Sequence, residues 1–187
     1  MDNYKSKEQE IEENLKQAEI EIDENKLNDF LEEKKFEQNF PAAILGGSIA
    51  AIIGATIWAL ITYATKFQIG WMAVGIGFLV GFSVRFFGKG FDQKFGFVGA
   101  IFSLLGCLLG NLFTTVIFAS IDLNETFFTM LFSLNLSNII DIFEQTFSPM
   151  DLLFYGIAIY EGYKFSFRTL SENEVSGLSK ESNWPRL

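Results

Sequence analysis

From Ala42 to Val84 the chain carries one charged side chain, Lys66, and a glycine-studded run, QIGWMAVGIGFLVGFSVRFFGKG (Gln68 to Gly90), meets no charge before Arg85. A soluble domain spreads charge over its outward faces, so uncharged stretches of this length leave no face for water. They match instead the roughly 30 Å hydrocarbon core of a bilayer, which a helix rising about 1.5 Å per residue crosses in about 20 residues. Unpaired backbone amides are costly in hydrocarbon, so each run must be helical. The expected fold is all-α, an integral membrane four-helix bundle with an N-terminal charged, partly helical cytoplasmic arm. Residues 1–40 form the arm and 41–168 the transmembrane domain, with spans at about 42–64, 68–87, 96–119 and 148–167. An interfacial segment is expected at 126–147, and a disordered tail at 169–187.

Charge is as segregated as hydrophobicity. Residues 1–41 hold 13 acidic and 6 basic side chains, and most of the formal charge of -9 resides there. An acidic arm repels nucleic acid, which is excluded as a partner. Within the arm Ile11, Leu15, Ala18 and Ile22 line one helical face before the pattern slips. That seam is either a helix for a membrane or cytoplasmic protein partner or a solvated, partly helical tail. The absence of His and a single Cys, Cys107, leave no zinc ligand set and no intrachain disulfide, so neither metal nor cofactor is expected. The first residues, MDNYKSKEQE, lack the apolar core of a cleavable signal peptide, so the first span must direct insertion.

Small residues recur at helical spacing in three spans. Ala43, Gly47, Ala51 and Ala55 fall every four residues beside Gly46, Ala50 and Gly54; Ala73, Gly77, Gly81 and Arg85 follow in the second span; Gly99, Ser103 and Cys107, with Gly106 and Gly110, follow in the third. Such rows let membrane helices approach closely, which makes Gly47, Ala51, Gly54, Ala73, Gly77, Gly81, Gly99, Gly106 and Gly110 the expected packing positions. Gly75 and Gly77 follow no strand, so they do not form a nucleotide-binding loop. Asn111 is the strongly polar residue well inside a span, and an interhelical hydrogen bond is its expected fate, with a transport ligand as the alternative.

The segment Ser120 to Phe147 is apolar in TFFTMLFSLNL and then amphipathic, with Leu136, Ile139, Ile140, Phe143 and Phe147 on one face and Asp141 and Glu144 on the other. As a span it would drag those charges through hydrocarbon, so it is read as an interfacial or re-entrant element. The last span is marked by Ser148, Pro149 and Asp151, which resemble a capping box with proline at the first helical position. Lysine and arginine gather near span ends on the side of the termini (Lys26, Lys34, Lys35, Arg85, Lys89, Lys94, Lys164, Arg168), against Lys66 on the other. Both termini are therefore expected in the cytoplasm, with Trp58 and Trp71 as aromatic anchors at the outer interface. This orientation brings Arg85 and Glu161 to similar depth, and they are expected to pair, or else each to snorkel to the interface.

The stretches IGWMAVGIGFLVGFSVRFFGKG, KFGFVGAIFSLLGCLLGNLF and AIYEGYKFSFR resemble those of a family of small uncharacterised bacterial multi-pass membrane proteins, with four spans and glycine-rich transmembrane helices. The resemblance covers the spans and not the arm, and implies an inner-membrane location without implying an activity. Two functions are expected to compete. One is a non-catalytic scaffold or accessory subunit of a membrane complex. The other is a transporter or channel component, a homo-oligomeric pore being one form of it. An enzyme is not expected, because Asp151, Glu161, Arg85, Tyr155, Tyr160 and Tyr163 show no nucleophile and base at a meaningful spacing.

Overall fold

The computed structural model describes residues 28–30, 32, 36–67 and 70–169. Residues 37–168 form one compact unit, and residues 1–36 with 169–187 group as a second. In the second, residues 28–30 and 32 are helical. The arm's Ile11–Ile22 seam and the tail beyond Thr169 lie outside the described residues.

Between Phe40 and Phe165 the described chain folds into six helices, each with a legible start or stop. Helix α1 (Phe40–Thr65) opens where Asn39 accepts a hydrogen bond from the Ala42 amide at 3.0 Å, with Pro41 in the first turn. It ends at Lys66, whose left-handed backbone (φ 60°) lets its amide reach back to the Thr62 carbonyl. Helix α2 (Trp71–Gly88) stops the same way at Lys89, φ 49°. It starts at Trp71 rather than Gln68; Gln68 and Ile69 lie outside the described residues. Helix α3 (Gln93–Asp122) is 30 residues long, about 45 Å, and overruns the expected 96–119 because no glycine or proline interrupts it after Gly110.

The segment expected to be interfacial is two short helices, α4 (Phe127–Ser133) and α5 (Leu136–Thr146), bent by 107°. Asn135 forces the break: its side chain caps the Asn138 amide, while the Asn138 side chain caps Asn135 in return. Helix α6 (Pro149–Phe165) carries the capping box read from the sequence, with Asp151 Oδ2 accepting from the Ser148 amide at 2.8 Å.

Helices α1, α2 and α3 are long and apolar enough to cross a membrane. Helix α6, with 17 residues or about 26 Å, runs the length of α2 and completes the four-helix bundle. It is antiparallel to α3, because Gly162 lies against Gly99 and Tyr155 against Asn111. One end of the bundle is closed by chain ends and a turn. There the Asn39 amide donates to the Gly88 carbonyl and the Arg168 amide to the Gly90 carbonyl, each at 2.9 Å, and Arg168 pairs with Glu37 at 2.8 Å. Residues 37 and 168 thus share an end, and Lys66 marks the opposite one.

That geometry decides what the bent pair is. Helix α3 leaves the bundle at the Lys66 end and α6 re-enters at the same end, so the α4–α5 elbow begins and finishes on one side and does not cross. The Lys66 end is also stepped. With Gly106 level with Ile76 of α2, and Gly99 with Gly162 of α6, α3 projects past the starts of both shorter helices by about 15 Å.

Candidate functional site

The interior is built on small residues that bring backbones into contact. A Cβ added at Gly77 would stand 2.7 Å from the Ala158 carbonyl oxygen, and one at Gly81 2.9 Å from the Phe165 Cβ, so α2 lies directly on α6. On the other flank of α6, added Cβ atoms would run Gly99 into the Gly162 carbonyl and Gly162 into Ser103 Oγ and the Gly99 carbonyl oxygen. Helix α1 meets its neighbours through side chains set into notches: Val84 at Gly47, Ile76 at Gly54, Trp58 at Gly110. Gly106 admits Ile76 and the Ala51 backbone, and both Ala51 and Ala73 are buried.

Two partners in this packing, Ala158 and Gly162, carried no expectation. The signal is present, since Ala158, Gly162 and Ser166 fall at steps of four, the same spacing as in the other spans. Glu161 and Lys164 beside them make the run look polar and obscure it. Trp58 reverses an expectation. It is fully buried with its indole against Gly110, and is no interface anchor, whereas Trp71 is 70% exposed with its ring 5.9 Å from Phe154.

A thin polar seam follows the α3–α6 contact. Ser166 Oγ bonds the Gly162 carbonyl; Ser103 Oγ is buried with no partner among the described residues; Asn111 Nδ2 donates to Tyr155 Oη across a long 3.4 Å. Thr114 turns its hydroxyl back to the Gly110 carbonyl at 2.8 Å, as threonine does in a helix with no better acceptor. Asp151, the buried carboxylate of this seam, is committed to the cap of its own helix. Among the described residues no three of Cys, Asp and Glu converge where a metal would sit. Of the hydrogen bonds in this seam, the one from Asn111 to Tyr155 joins two helices.

Arg85 and Glu161 are not brought together. The ion pairs among the described residues join Lys94 to Asp92 and Arg168 to Glu37, and neither includes Arg85 or Glu161. The cause is axial offset: Gly81 is already level with Glu161 to Phe165, and Arg85 lies one further turn, about 6 Å, toward the Glu37 end. Glu161 Oε2 is buried without a hydrogen-bond partner among the described residues. Arg85 helps line a cleft of about 420 Å³ with Leu79, Phe82, Ser83, Phe86 and Phe87, which opens among exposed phenylalanine rings.

Comparison with known proteins finds no family model, no curated protein and no solved structure that matches this chain. What the molecule can do rests on its own geometry.

Proposed function

We propose that the chain is a non-catalytic scaffold or accessory subunit of a membrane complex. The observation that supports this most is the α2–α6–α3 contact, where Gly77 meets Ala158 and Gly99 meets Gly162 backbone to backbone. Helices this close leave no aqueous path between them. Transport pathways need ionisable or unwound segments at mid-depth. In this bundle that depth holds Ser103 and Cys107 on a continuous helix.

The orientation belongs to the same proposal. Lys89, Lys94 and Arg168 cluster at the end where residues 37 and 168 meet, and Lys66 stands opposite with Asp122 and Glu125. Retention of basic residues in the cytoplasm supports a Glu37 end on the cytoplasmic side, and we read the membrane as a bacterial inner membrane from the resemblance of the spans alone. The arm of residues 1–40 is then cytoplasmic and presents its acidic, seam-bearing segment to a protein partner.

The test is purification in a mild detergent of the full chain and of a chain lacking residues 1–36. A protein held stoichiometrically by the full chain and lost with the arm supports the proposal. Ion flux through vesicles containing the purified chain alone contradicts it and supports a homo-oligomeric pore.

A further inference from the structure

The α4–α5 elbow exposes an apolar edge that the bundle does not cover. Phe132 is 83% exposed and stacks on Phe128 at 6.5 Å, and beyond the bend Leu136 and Ile140 are exposed as well. The opposite side of the elbow is seated on α3, where the Phe127 ring meets Phe113 at 5.8 Å. Between them α5 turns Asn138, Asp141 and Gln145 to the surface.

Depth settles what surrounds this edge. Phe113 lies 18 residues beyond Phe95, the buried ring at the Glu37 end of α3, which is about 27 Å along the helix. A hydrocarbon core of about 30 Å that starts at the charged Glu37 end therefore reaches Phe113 and the elbow beside it. Charge refines the partner: residues 120–148 hold Asp122, Glu125, Asp141 and Glu144 and no lysine or arginine, so anionic headgroups are repelled.

We infer that the elbow is a lipid-docking surface, with Phe128, Phe132, Leu136 and Ile140 seated among acyl chains beneath zwitterionic headgroups at the Lys66 end, and Asn138, Asp141 and Gln145 in the headgroup layer. The amphipathic helix thus anchors one leaflet while both of its ends remain on the same side.

Nitroxide accessibility tests this in phosphatidylcholine vesicles. Phe128→Cys, Phe132→Cys and Ile140→Cys are labelled one at a time in a Cys107→Ser chain, as are Asn138→Cys, Asp141→Cys and Gln145→Cys. The first three labels are expected to collide with oxygen and exclude chelated nickel, and the last three to do the reverse. Nickel reaching all six places the elbow in water, and shielding of the first three from both reagents means that protein covers the edge; either result overturns the inference. Phe132→Trp in the chain with Cys107 intact gives an independent reading. The added indole is expected to be quenched by lipids brominated on their acyl chains, and an added emission insensitive to them overturns the inference as well.

Discussion

Gly162 has no room for one methyl group, because its neighbours are the Gly99 carbonyl oxygen and Ser103 rather than the end of a flexible side chain. Gly162→Ala must push α3 and α6 apart, and is expected to destabilise the bundle by about 1 to 3 kcal/mol. Gly75 and Gly156 have nothing within 4 Å of an added Cβ. Alanine at either position is expected to be neutral or to stabilise by up to about 1 kcal/mol through helix propensity. Unfolding from mixed micelles with rising SDS separates the two groups, and equal costs at Gly162 and Gly156 would deny that packing sets the difference. The polar seam is weaker. A cycle of Asn111→Ala and Tyr155→Phe is expected to give a coupling of about 0.6 kcal/mol, ordinary for one interhelical hydrogen bond in a membrane, and the 3.4 Å separation argues against more. At this scale the rows of glycine and alanine were legible because period and residue size both lie in the sequence. Burial of Trp58 was not, since the notch that receives it is made by Gly110 on another helix.

Elements announce themselves by the chemistry at their ends. Pro41, Ser148 and Asp151 mark starts that one sequence can display, because a cap is made by residues three or four apart. The end of α3 is different: neither Ala119 nor Ser120 breaks a helix, so the chain continues to Asp122, and the projecting turns matter only because α2 and α6 begin lower. The bend between α4 and α5 was hidden for a related reason. Asn135 reads as one polar residue in an apolar stretch until its reciprocal bonds with Asn138 are seen. Removing that cap with Asn135→Ala is expected to cost about 1 kcal/mol and to act locally. Hydrogen exchange should then quicken in α5 and not in α6. Quickening across both helices would mean that the elbow and the bundle unfold as one body.

For the whole molecule the segregation of charge was enough to give an all-helical membrane protein, because hydrocarbon permits few other solutions for uncharged runs. The ion pairs among the described residues do not join Arg85 to Glu161: a depth estimated from span ends ignores where two helices touch, and contact at Gly77 and Gly81 leaves Glu161 one turn short of Arg85. What remains is a bundle whose described interior is closed by its own backbones, with the apolar edge of the elbow exposed. Cys107 reports on that closure most directly, being the single thiol of the chain and fully buried at mid-depth. In sealed vesicles a small water-borne methanethiosulfonate is expected to leave the folded protein unmodified and to modify one thiol per chain after denaturation in SDS. Stoichiometric modification of the folded protein would contradict the closed bundle and give the interior to a water-filled path.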